Sequence, residues 1–157
     1  MEIDLNAGKL TTHQLSAMLS SFRGEIFFFD CDKRLQYYKQ PADMNYYPQE
    51  LGRTFDELQI ENAQKAWTQI QTGAKTVDFP AENNSLHRFY VDHYEKVVDK
   101  DHNLVGMLRQ IQDVFPLVDY YLKQTGQKLV DDQSNHNGKN FRETDELDAE
   151  TGASEYL

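Results

Sequence analysis

Two histidines, an arginine and several carboxylates crowd into "VDHYEKVVDKDHNLVGMLRQIQDV", Val91 to Val114, a stretch otherwise built like two strands and a turn. An imidazole titrates near neutrality, so it can move protons or ligate a metal, and a guanidinium can grip an oxyanion. His87 and His93 lie six apart on one predicted strand. That even separation puts them on one face with Phe89, Val91 and Glu95. Extended chain separates them by about 20 Å, too far to share one metal ion. Either imidazole alone has the chemistry of an axial haem ligand, and His93 that of an acid or base. The plainer role is a solvent-facing or core-edge histidine, since no partner for proton transfer is evident in the string.

Arg109 and Gln110 are adjacent on the last predicted strand and point to opposite faces, so one of them should face the helices. A polar group buried there needs a partner, and a bound ligand would supply it. Other arrangements carry less. The pairs Asp30/Asp32, Glu57/Glu61 and Asp99/Asp101 suit turns, caps and exposed helix, because short polar side chains bond nearby backbone. No serine lies in a G-x-S-x-G elbow, and no P-loop, G-x-G-x-x-G or H-E-x-x-H string occurs. Cys31 is the one cysteine, so neither an internal disulfide nor a cysteine-rich zinc site can form. Its neighbours Asp30 and Asp32 disfavour a thiolate. These observations favour binding without catalysis.

The elements that would position these residues follow from periodicity. "LTTHQLSAMLSSF" opens with hydroxyl residues able to cap a helix and then spaces Leu15, Met18, Leu19 and Phe22 at three and four. "GEIFFFDCDKRLQYYKQP" holds two β-rich runs, Ile26 to Phe29 and Leu35 to Tyr38, around a polar turn. "ADMNYYPQELGRTFDELQI" is aromatic and broken, with "GRTFDEL" long enough for one or two helical turns. "ENAQKAWTQIQTG" places Ala63, Ala66, Trp67 and Ile70 on one helical face before Gly73. "KTVDFPA", "LHRFYVDHYEKVVD" and "LVGMLRQIQDV" read as a three-stranded meander, and "FPLVDYYLKQTG" as a closing helix.

The chain has 157 residues, room for one domain with a real core. A hydrophobic fraction of 39% and a mean hydropathy of -0.76 place part of it outside that core. From Asp131 to Leu157 eight acidic residues face two basic ones, which predicts disorder there. The expected divisions are 1–23 an N-terminal amphipathic flank, 24–115 the domain, 116–130 a flanking helix and 131–157 an acidic tail. A net charge of -10 argues against nucleic acid as a partner, and no apolar run of membrane-spanning length occurs. With no basic and apolar leader at its start, the chain reads as cytoplasmic.

The order hairpin, short helices, one longer helix, meander and closing helix resembles a PAS domain over roughly Leu10 to Lys123. That resemblance implies an α+β fold: a five-stranded antiparallel sheet in the order 2-1-5-4-3, helices on one face and a small-molecule cavity between them. A narrower likeness is to the PAS module at the C-terminal end of certain bacterial proteins, some of which carry a hemerythrin-like domain upstream. It rests on "GKLTTHQLSAML", "IFFFDCDKRLQYYK", "LGRTFDEL", "IQTGAKTVDF" and "VVDKDHNLVGMLRQIQDV". Those modules often have a Cys-His-Pro run after the "GR", where this chain reads "GRTFDELQIENAQKAW". No metal, haem or proton role of that histidine carries over, and no di-iron chemistry does either.

The apolar inventory for a cavity is Phe27, Phe29, Tyr38, Tyr46, Phe55, Leu58, Trp67, Ile70, Phe79, Phe89, Val91, Met107 and Ile111. With Arg109, Gln110 or His93 as placed polar groups it has the makeup of a small-molecule site. A row of aromatics is also what a filled sheet-on-helix core looks like. Cavity shape rather than a string motif selects among flavin, haem and organic acids, so the cofactor is unknown from sequence. The expectation is a sensory module that relays occupancy through its terminal helices, as a homodimer through Leu15, Leu19 and their helix. The alternative is a ligand-free interaction module working through Leu15, Leu19, Leu117 and Tyr121.

Overall fold

The computed structural model describes residues 1–39, 48–81 and 87–135. Among the described residues the fold is α+β, with a five-stranded antiparallel sheet, a two-stranded hairpin and three α-helices. The chain divides into two compact units, one of Met1–Asp78 with His93–Gln112, the other of Phe79–Asp92 with the residues from Asp113 onward.

In the first unit the chain opens on a small hairpin, β1 (Glu2–Leu5) and β2 (Gly8–Thr11), with Ile3 paired to Leu10. The sequence reading assigned these residues to a helical flank and missed the hairpin. Helix α1 (Thr12–Ser21) follows at once. Thr11 caps it reciprocally: its hydroxyl accepts from the Gln14 N–H at 3.0 Å while the Gln14 side chain accepts from the Thr11 N–H at 2.9 Å. No residue of α1 is buried, and Met18 and Phe22 are exposed. The ammonium of Lys39 donates to the carbonyls of Phe22 and Gly24, tying the exit of α1 to the sheet.

Strands β3 (Glu25–Asp30) and β4 (Leu35–Lys39) form the predicted hairpin, β3 longer by a residue at each end and β4 by one at its C-terminal end. Asp30 builds the turn: its Oδ1 accepts from the Asp32 and Arg34 N–H groups, and Lys33 takes a positive φ of 66°. This is a three-residue loop closed by a left-handed residue. The turn between β6 (Tyr90–Val98) and β7 (Leu104–Asp113) repeats that chemistry. Asp99 Oδ1 accepts from Asp101 and Asn103, and His102 takes φ 66°. These bonds to the charged form hold the Asp99 carboxyl below its ordinary range, the Asn103 N–H contributing most. Asp30/Asp32 and Asp99/Asp101 are turn residues, as their types indicate.

After a 3-10 turn at Pro48–Glu50, the predicted helical turns of "GRTFDEL" are instead a series of tight turns that end at Gln59, φ 59°. Helix α2 (Glu61–Gln71) then buries Ala63, Ala66, Trp67 and Ile70, the face its periodicity marks. Strand β5 is Thr76–Pro80. The sheet runs β4-β3-β7-β6-β5, which counts as 2-1-5-4-3 from its first strand in chain order.

In the second unit, Asp113 Oδ1 accepts from the Phe89 N–H at 2.9 Å and from the Phe115 N–H at 3.1 Å. The Val114 N–H donates to the Phe89 carbonyl. Helix α3 (Phe115–Thr125) starts there and ends at Gly126 in the left-handed region, as a C-terminal glycine should. It buries no residue, and Leu117, Tyr120 and Tyr121 are exposed. Of the acidic tail only Asp131 to Asn135 is described, without helix or strand; the expected disorder beyond it lies outside the described residues, as does Tyr46.

Candidate functional site

Antiparallel pairing of β3 with β7 sets Phe27 opposite Arg109 and Phe29 opposite Met107. Directly opposed residues share a face, so one side of the sheet carries Phe27, Phe29, Met107, Arg109 and, by alternation, Ile111. On β4 a bulge at Gln36 lets Leu35 pair with Phe29 while Tyr38 pairs with Phe27, which puts both on that same side despite their odd spacing. Tyr38 stacks on Phe27 with ring centroids 4.5 Å apart.

The row continues into the covering elements. Phe29 meets Phe55 edge-on at 5.4 Å, and Phe55 lies 5.9 Å from Trp67 of α2. Phe29, Phe55, Trp67, Ile70 and Met107 are all buried. Two polar groups sit in this setting. The Arg109 guanidinium lies over the Phe27 ring at 4.7 Å and near the Tyr94 ring at 5.7 Å. Cations are attracted to such faces, more strongly where water is scarce. The second is the indole N–H of Trp67. It is buried and has no hydrogen-bond partner among the described residues.

The structure splits the predicted set. It brings Phe29, Tyr38, Phe55, Trp67, Ile70, Met107, Arg109 and Ile111 to one side of the sheet or its cover. Gln110 pairs with Ile26 on the other side, so of the adjacent polar pair it is Arg109 that faces α2. His93 is corrected as well. Tyr94, fully buried beneath Arg109, is the inward residue of β6, so Val91, His93 and Glu95 take the opposite face. There His93 bridges carboxylates, Nδ1 to Asp78 at 2.5 Å and Nε2 to Glu95 at 3.1 Å. Desolvation lowers its pKa, but the hydrogen bonds and charges of Asp78 and Glu95 outweigh it and hold the imidazole above its usual value.

Phe89 precedes β6 instead of lying in it, and His87 packs edge-on against Phe115 at 5.9 Å. Sequence reasoning missed Tyr94 and the buried Asp92 two residues before it. No group of three or more metal-ligating side chains occurs among the described residues.

No protein family matches the sequence, and no curated protein does. Among solved structures, a C-terminal domain from Streptococcus mutans superposes with a TM-score of 0.65 at 22% identity, over 76% of this chain and 97% of that one. The two share a fold. A sensory box histidine kinase from Vibrio cholerae matches at TM-score 0.44 and 14% identity over 64% of this chain and 89% of that one. The Vibrio cholera VqmA protein, solved with ligand and DNA, matches at 0.48 and 18% over 86% and 66%. The strand order β4-β3-β7-β6-β5 is the one that the resemblance to PAS domains implies, and the aromatic row lies on the α2 side of the sheet. No helix of the described residues is long and apolar enough to cross a membrane.

Proposed function

We propose that the chain is a PAS-like sensory module that binds a small molecule without catalysis and relays its occupancy through the terminal helices. One observation carries the reading: a buried, unpartnered indole N–H at Trp67, in an aromatic row whose sheet face also bears the Arg109 guanidinium. Buried donors are nearly always bonded, and one left alone costs about 1–3 kcal/mol. A ligand with an acceptor atom would relieve that cost.

Transmission requires a ligand that binds one arrangement of the module better than another. The Lys39 contacts to Phe22 and Gly24 give the sheet a direct hold on the end of α1. The incompletely buried Leu15 and Leu19, beside the exposed Met18, suit a helix completed by a second copy. A chain starting near Gly24 that still sediments as a dimer would refute that contact.

Native mass spectrometry with the visible absorption spectrum tests the reading first. A bound mass establishes the site and names its occupant. If only bare polypeptide is found, titration of metabolite pools against the emission of Trp67, the only tryptophan, decides the matter. A second reading has its own support, since neither α1 nor α3 buries a residue. A ligand-free interaction module would use those faces, and Trp67→Ala would then alter stability but not partner binding.

A further inference from the structure

Away from the aromatic row, the connection after α2 and the end of β6 enclose a groove of about 510 Å³. Its lining includes Lys75, Thr76, Glu95, Lys96 and His102. The Lys96 N–H donates to the Lys75 carbonyl at 2.9 Å, which fixes the two lysines as neighbours. Among the described residues neither ammonium has an ion-pair or hydrogen-bond partner. Glu95, the carboxylate of the lining, is engaged by His93 Nε2 at 3.1 Å. Two uncompensated cations and an imidazole therefore converge on a recess in a chain whose net charge is -10.

Such a cluster is against the grain of the composition. In a chain with 26 acidic residues against 16 basic ones, a lysine is readily paired, and Lys65 and Lys123 each hold an acidic residue one helical turn away. Leaving Lys75 and Lys96 unpaired and adjacent costs like-charge repulsion, which an anion between them would reverse. The volume falls within the range of small-molecule sites, about 300–1,000 Å³.

We propose that this groove binds a small oxyanion, a carboxylate- or phosphate-bearing molecule, held by Lys75 and Lys96 with His102 as a further polar contact. The site is separate from the Trp67 row and does not depend on it. Because its side chains are exposed, they can be exchanged without disturbing the core.

The test is amide NMR on the full chain at low ionic strength, titrated with inorganic phosphate and, separately, with citrate against matched chloride. Saturable shifts clustered at 73–76 and 95–102 are expected with at least one anion. The combined change Lys75→Gln and Lys96→Gln should weaken binding about tenfold or more with the spectrum otherwise unchanged. Saturation by phosphate alone assigns a phosphate-bearing ligand, by citrate alone a polycarboxylate, and by both a general oxyanion site. No saturable shift with either anion, shifts that survive the double substitution, or shifts centred on Phe27 and Arg109 instead would each overturn the proposal.

Discussion

Trp67 offers a substitution whose outcome depends on one hydrogen bond. Its side chain is 4% exposed, its indole N–H has no partner among the described residues, and Phe55 lies 5.9 Å away. Truncation to alanine removes the whole ring and should cost about 3–5 kcal/mol. Phenylalanine keeps most of the packing and deletes the donor. The void it leaves costs about 1 kcal/mol at roughly 24 cal/mol per Å³, while losing an unsatisfied donor returns about 1–3 kcal/mol. Trp67→Phe should therefore range from as stable as the parent to about 2 kcal/mol more stable. Urea unfolding followed by far-ultraviolet circular dichroism checks this. With a slope of about 2 kcal/mol per M, alanine should lower the midpoint by about 1.5–2.5 M and phenylalanine should leave it unchanged or raise it by up to about 1 M. A loss above about 3 kcal/mol for Trp67→Phe would refute the reasoning, because it would mean that the N–H is bonded in solution. A ligand accepting that bond should stabilise the parent more than the phenylalanine variant.

Three further expectations follow from the sheet. At Gly106 an added methyl would stand 2.2 Å from the Phe29 carbonyl and 2.7 Å from the Phe28 ring, so Gly106→Ala should destabilise by about 2–3 kcal/mol in thermal unfolding. Phe28→Leu should rescue only part of that loss, since the backbone contact remains. His102→Gly relieves a left-handed side chain at φ 66° and should add about 0.5–1 kcal/mol, as should Lys33→Gly; unchanged midpoints in both would count against strain at these turns. The His93 bridge has a pH sign: its folded pKa is raised, so its contribution is complete below the unfolded value of about 6.5 and fades as pH climbs through the raised one. Melting temperatures from about pH 6 to about pH 9 should fall more steeply for the parent than for His93→Gln. Parallel curves would exclude the bridge as the source.

What the sequence disclosed was periodicity, and what it hid was the choice between faces. The buried positions of α2 are legible because Ala63, Ala66, Trp67 and Ile70 fit a helical repeat that no strand could use. The alternation of β6 is equally clear, yet it defines two sets without saying which one faces inward. The apolar-looking set of Phe89 and Val91 carried His93 with it, whereas the buried set contains Asp92 and Tyr94. A buried carboxylate disguised the inner face. Arg109 and Gln110 posed the same two-way choice, resolved only by the register with β3. The opening hairpin was hidden for another reason: its strands have four residues each, too few for alternation to stand out beside a strongly capped helix.

Register is where these choices are settled. The three consecutive phenylalanines of β3 fit either face, and sliding β3 by one residue against β7 would set Phe27 opposite Gln110 or Leu108 in place of Arg109. Two glycines block that slide. Gly106, the only glycine of β7, lies under the Phe28 ring and against the Phe29 carbonyl, a space no other residue of the strand leaves open. At the other end Gly24, with φ 78°, approaches the Ile111 carbonyl so closely that a methyl would stand 2.0 Å from it. A shift by one position would put a side chain at one or both of these points. The aspartate turns at Asp30 and Asp99 then fix where each neighbouring hairpin reverses. The stacking of Arg109 on Phe27 is thus set by backbone contacts remote from either side chain.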